Sequence, residues 1–340
     1  MVNHKIAAGL LAALTAVAIA APAQAQWQPD KPINIIVPWS AGGSTDQVTR
    51  VVAPILEEAL GTPVVVVNQP GASGSIGTKA ALDAPRDGYT WTANAIANNA
   101  TYSVTGLIEN TSIDDYHIYL HVANVPVVSV NADSPYKSFD QLLAAMAEPE
   151  KVKVGTAGVN SSGGMALAAI GEAAGGKLGA RMVTYDGGNP AVLAAAAGEV
   201  DATTQLAVEQ TEMIKAGKIR PLAVLSNKAL MIEGLDPIPP ITNWLTDMPV
   251  APDYFGVFIP AGAPQEVYDT VDKVWAEKVM NSEALQNYAT ERGAVFDPSY
   301  GAKAREQAMP VVIAEACARV TRGEAVVDPS KIGIDCKAAH

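Results

Sequence analysis

The stretch Val37-Pro38-Trp39-Ser40-Ala41-Gly42-Gly43-Ser44-Thr45-Asp46 joins two segments of different periodicity, and its reading decides the fold. Before it, Ile33, Ile35, Ile36 and Val37 form a β-branched apolar run that Pro38 ends. After it, Val48, Val51, Val52, Ile55, Leu56 and Leu60 recur at helical spacing. The unit is strand, glycine-rich loop, helix. Ser44, Thr45 and Asp46 are residue types whose side chains accept bonds from the unpaired N–H groups of a helix start. Those N–H groups, with the positive end of the helix dipole, attract an anion without needing Lys or Arg. The stretch reads as one half of a ligand cleft.

The same order recurs along the chain. Residues 63–67 form a second apolar strand, followed by a glycine and serine turn at 68–75 and a helical pattern at 76–82. A third strand at 90–92 leads to the polar run 94–99, where a strand end should face the cleft. The β-rich segment 122–130 reads as a crossover into a second lobe. Residues 152–157 open that lobe, and Gly158-Val159-Asn160-Ser161-Ser162-Gly163-Gly164 repeats the glycine and serine loop ahead of a helix at 165–174. Strands follow at 181–185, 200–205 and 219–225; Pro190 suits the first turn of an Ala-rich helix, and Gln205 opens another. The Pro-rich passage 237–252 reads as the connector back, 255–260 as a returning strand, and 265–279, 282–290 and about 302–321 as amphipathic helices. The pattern predicts an α/β protein of two lobes, each a mixed sheet flanked by helices, with the ligand cleft between them. The first lobe takes residues 26–124 and about 250–340, the second about 125–249.

At the start, Lys5 precedes an apolar run from Ile6 to Ala21, and Ala23-Gln24-Ala25 offers the small residues of a cleavage site. Residues 1–25 therefore read as a secretory signal, and the expected product is exported, periplasmic in a cell with two membranes. Its removal leaves roughly 315 residues, more than one core usually supports. The net charge of −12 and pI near 4.8 argue against a nucleic-acid binder, which needs a basic face. The only two cysteines, Cys317 and Cys336, either pair in an oxidising compartment, tying the tail to the last helix, or remain one buried and one exposed thiol.

Several motifs carry no chemistry. Gly171 through Gly176-Lys177 resembles part of a phosphate loop, but Leu178 stands where Ser or Thr is required. His117 and His121 lie in a strand-like apolar context with no third metal ligand. Ser44, Ser75 and Ser161 sit in no G-x-S-x-G elbow, and Glu57-Glu58 reads as solvated helix surface. No metal, cofactor or catalytic set is expected. The competing enzyme reading is an exported hydrolase using Asp46 or Asp201.

With these residues in view, the chain resembles the Bug-type (TctC) extracytoplasmic solute receptors of tripartite tricarboxylate transporters. The resemblance rests on 31–46, on Asn68-Gln69-Pro70-Gly71-Ala72-Ser73-Gly74-Ser75-Ile76-Gly77, on Asp87-Gly88-Tyr89-Thr90, on 158–164, on Tyr185-Asp186-Gly187-Gly188 and on 258–264. It implies a Venus-flytrap receptor, working as a monomer, that closes on a small carboxylate and delivers it to a membrane permease. An adaptor role for a sensor kinase is the alternative. Carried over by position, the ligand set is Trp39, Ser40, Ala41, Gly43, Ser44, Thr45 and Asp46 facing Gly158, Asn160, Ser161 and Ser162, with Tyr185, Asp186 and Gln205 beside them. Two positions depart from the family. Trp39 stands where Phe is common, making a bulkier wall or offering an indole donor. Asp186 stands where many members have Lys; it either disfavours a second carboxylate, in favour of a monocarboxylate, hydroxyacid or amino acid-like ligand, or caps the helix that follows.

Overall fold

The computed structural model describes residues 27–176 and 178–336; the expected signal at 1–25, Lys177 and the terminal His340 lie outside the described residues. The chain runs β1 (Ile33–Val37), α1 (Ser44–Leu60), β2 (Val64–Asn68), α2 (Ser75–Asp83), β3 (Thr90–Ala95), α3 (Ile96–Thr101) and β4 (Tyr116–Asn124). Then come β5 (Val127–Asn131), α4 (Phe139–Met146), β6 (Lys153–Thr156), α5 (Ser162–Ala173), β7 (Arg181–Thr184), α6 (Gly188–Ala197), β8 (Ala202–Thr203), α7 (Ala207–Lys215) and β9 (Ile219–Val224). It closes with β10 (Asp253–Pro260), α8 (Gln265–Val274), α9 (Glu283–Arg292), β11 (Val295–Tyr300) and α10 (Gly301–Thr321).

These strands make two mixed sheets, one ordered β11-β4-β10-β3-β1-β2 and the other β7-β6-β8-β5-β9. In the first, Ile33, Ile35 and Val37 of β1 point into a core shared with Val48, Val52 and Leu56 of α1, which is why that strand and helix pack back on one another. In the second, Val128, Val130 and Val154 pack on Phe139 and Leu142 of α4. Each sheet has a parallel heart, β2-β1-β3 and β7-β6-β8, so the carboxyl ends of those strands and the following helix starts gather on one side. The chain leaves the first sheet on β4 and returns on β10, and these two strands pair antiparallel with Asn124 opposite Asp253. Both crossovers thus spring from neighbouring strands, the arrangement of a hinge.

The structure refines three stretches of the chain. The crossover segment 122–130 is not one strand: Val125-Pro126 interrupts it, Pro126 having no N–H for a ladder, and β5 pairs in the other sheet. The helix expected over 265–279 is α-helical to Val274 and continues as a π turn, Trp275–Val279, with the Trp275 indole donating to the Leu120 carbonyl at 3.0 Å. Finally, Val295–Tyr300 is an edge strand beside β4 whose internal Pro298 masks its pattern. Cys317 on α10 and Cys336 form a disulfide, with Cα atoms 5.3 Å apart. Among the described residues, no helix is long and apolar enough to cross a membrane, and no group of His, Cys, Asp and Glu is placed to hold a metal.

Candidate functional site

Gly42 adopts φ +80° and turns the loop after β1 into α1. The cap residue of α1 is Gly43, which has no side chain to offer, so Ser44, Thr45 and Asp46 already lie inside the helix and do not cap it. Asp46 faces back across its own loop. Its carboxylate accepts from the Gly42 N–H at 2.9 Å, from Arg50 Nε at 3.0 Å and from Asn68 Nδ2 at 2.9 Å. Burial pushes its pKa up, but the bonds from Arg50, Gly42 and Asn68 outweigh it and hold the carboxyl below its ordinary value.

What caps α1 comes from the other sheet's helices. Glu209, in the first turn of α7, accepts the Ser44 N–H on Oε1 at 2.8 Å and its own helix's Leu206 N–H on Oε2 at 3.3 Å. In the amide orientation that satisfies both neighbours, Gln205 donates to Glu209 Oε2 at 3.1 Å and accepts from the Ala157 N–H at 2.7 Å. A Cβ on Gly188, the first residue of α6, would fall on the same carboxylate oxygens. Three helix starts therefore converge on one buried carboxylate. Burial pushes its pKa up, against the lowering effect of the Ser44 and Leu206 N–H bonds.

The start of α5 is built differently. Ser161 caps its own helix, accepting the Gly164 N–H at 3.1 Å and donating its hydroxyl to the Gly158 carbonyl at 2.7 Å. Ser162 donates across to Asp253 Oδ2 on β10 at 2.6 Å. Burial raises the Asp253 pKa to about 7, against the lowering effect of the bond from the Ser162 hydroxyl. The loops also pair across the cleft otherwise than expected. The Ser40 N–H donates to the Asp186 carbonyl at 3.2 Å, so the 39–43 loop docks on 186–189. The 158–164 loop meets α3 and its surroundings instead, Asn98 donating to the Asn160 carbonyl and Asn160 Nδ2 to Thr105 Oγ1 at 3.4 Å.

Between these elements lies a cavity walled by Trp39, Ser44, Thr45, Asn98 and Phe255 on one side and by Ala157, Ser161, Ser162, Gly188, Gln205, Leu206 and Glu209 on the other. Its free volume of about 20 Å³ holds roughly one water, so the lobes are closed on each other. Of the residues expected from sequence, Trp39, Ser44, Thr45, Ser161, Ser162 and Gln205 line it. Ser40, Ala41, Gly43, Asp46, Gly158, Asn160, Tyr185 and Asp186 stand outside the wall. Asp186 is exposed and does not cap α6, whose cap residue is Gly187 with no side-chain bond. The Trp39 indole N–H is committed inward to Asn94 Oδ1 at 2.8 Å, so Trp39 offers the cavity a wall and no donor. Sequence reasoning missed Ala157, Gly188, Leu206, Glu209 and Phe255, and flagged Asn98 only within the polar run. An acid in the first turn of a helix was a visible signal for Glu209; its reach to Ser44, 165 residues away in sequence, was not.

A family model described as a tripartite tricarboxylate transporter family receptor matches residues 48–322. The chain belongs to this receptor family. BugT of Bordetella pertussis is similar at 30% identity over 280 residues, covering 80% of this chain and 84% of BugT. Among solved structures, the periplasmic binding protein BugD superposes with a TM-score of 0.76 at 24% identity, covering 87% of this chain and 99% of its own. An R. palustris protein solved with adipate superposes with a TM-score of 0.75 at 25% identity, again covering 87% of this chain and 99% of its own. The two mixed sheets flanked by helices are thus the two-lobed fold of these receptors.

Proposed function

We propose that this receptor is a periplasmic monomer that captures a small carboxylate-bearing solute between its lobes and presents the closed form to the permease of a tripartite tricarboxylate transporter. The observation that carries this reading is the cavity walled from both sides by helix starts. The first N–H groups of α5, on Ser162 and Gly163, have no partner within the helix and form a ready seat for a carboxylate. Closure removes water from around that charge, which strengthens its attraction to the N–H groups. A single chain supplies both walls, so no second copy is needed. The adipate in the R. palustris neighbour supports a small organic acid as the ligand class. The chemistry is binding and release with no bond made or broken, and it calls for no cofactor.

A thermal-shift screen over small carboxylates, sugars and polyamines tests the reading. At 100 times its dissociation constant a ligand stabilises the folded protein by about 2.7 kcal/mol. At least one carboxylate is expected to raise the melting temperature accordingly and to be recovered unchanged. A shift from sugars or polyamines with none from carboxylates overturns the proposal.

A further inference from the structure

The cavity wall holds one ionisable side chain, and it is an acid. Neither Lys nor Arg lines the space; Glu209 does, with its carboxylate already seated on the Ser44 N–H at the start of α1. Gly188, opposite, leaves the carboxylate oxygens in direct contact with backbone, and a larger residue there would displace them. The position to which α1 would draw an incoming anion is therefore occupied by the protein's own anion. A solute carboxylate at that end must compete for the Ser44 N–H and sit beside a like charge in a space with room for little water.

One partner of Glu209 is replaceable. Each carboxylate oxygen has two acceptor sites. Oε2 takes Leu206 and Gln205, and Ser44 bonds the carboxylate twice, through its N–H on Oε1 and through its hydroxyl. The Ser44 hydroxyl can rotate to another acceptor, so a donor from the solute can take its place on the carboxylate. We propose that Glu209 determines the ligand class: the α1 end of the cleft binds an ammonium group, the α5 end binds a carboxylate, and the preferred solute is a short zwitterion in place of a dicarboxylate. This rests on the receptor reading above and deepens it. Asp186, exposed and outside the wall, takes no part in the selection.

Matched pairs that exchange one carboxylate for an ammonium group test it: succinate against β-alanine, glutarate against 4-aminobutyrate, adipate against 5-aminopentanoate. Titration calorimetry on the full mature protein is expected to show the amino acid of at least one pair binding tenfold or more tighter than its diacid. Glu209→Gln, which keeps an acceptor for the Ser44 N–H, is expected to reduce that preference at least tenfold, whereas Glu209→Asp retains its sign. A purely structural role would weaken both members of a pair alike. Tighter binding of the diacids by the wild-type protein, or an unchanged ratio in Glu209→Gln, overturns the proposal while leaving the receptor reading standing. Absence of binding by every member of all three pairs overturns this proposal, while the thermal-shift screen decides the receptor reading. If Glu209→Gln does not fold, the wild-type ratio decides by itself.

Discussion

The starts of α1 and α5 occupy equivalent places in the two sheets, each after a glycine and serine loop, yet they solve the same problem in different ways. Helix α5 is capped locally by Ser161, and its contact with the opposite lobe is an added one, Ser162 to Asp253. Helix α1 has a glycine at its cap and takes its acceptor from Glu209 across the cleft. One start is complete within its own lobe; the other is complete only when the lobes meet. Similar loops therefore do not make a symmetric clamp. Closure buries one carboxylate from each side, Glu209 against α1 and Asp253 against α5.

The largest expected effect breaks the comparison at Asp253. Its ordinary pKa of 3.8 rises to about 7 in the folded protein, so between those values the folded state holds a proton that the unfolded state has released. Its contribution is fully present below about pH 4 and is lost as pH rises to 7, by up to roughly 4 kcal/mol at about 1.4 kcal/mol per unit. In urea unfolding, Asp253→Asn is expected to be more stable relative to wild type at pH 7 than at pH 4; an unchanged pH slope would show that the carboxyl is not buried as described.

Next in size is Glu209→Ala, which leaves the Ser44 N–H without its charged acceptor. Bonds of that kind contribute about 1.5 to 3 kcal/mol, and because this one spans the lobes, its loss should also open the molecule. A larger radius of gyration in X-ray scattering is the expected sign, and a radius identical to wild type would argue that other contacts hold the lobes together. Ser161→Ala should cost about 1 kcal/mol of stability as a lost helix cap, with the scattering profile unchanged. That contrast with Glu209→Ala is the sharpest statement of the difference between the two starts. Smallest is Trp39→Phe, which removes the bond to Asn94 while keeping the wall; about 1 kcal/mol of stability is expected to go, with solute preference unaltered in calorimetry.

Much of this was legible in the chain. The run Ile33 to Val37 and the helical spacing from Val48 placed the first strand and helix correctly, because burial on one face leaves a periodic trace. The serine and glycine loops at 39–46 and 158–164 were legible as helix starts for the same local reason. What was not legible is which loop faces which. Ser40 meets Asp186 and Asn98 meets Asn160 because of how the two sheets dock, and no local pattern records that. Glu209 shows the limit most clearly. As sequence it is an ordinary acid in the first turn of a helix, and only the closing of the cleft places it on Ser44. Asp186 shows the reverse: a residue that the resemblance singled out and that the fold turns outward to solvent.

A crystal structure of the protein grown with the tightest-binding amino acid of the matched pairs tests the account most directly. The solute is expected between Trp39 and Ser161, its ammonium group on Glu209 and its carboxylate at the first N–H groups of α5, with Glu209 still accepting from the Ser44 N–H. A solute carboxylate seated on the Ser44 N–H with Glu209 displaced, or a solute bound outside the cleft, would contradict it.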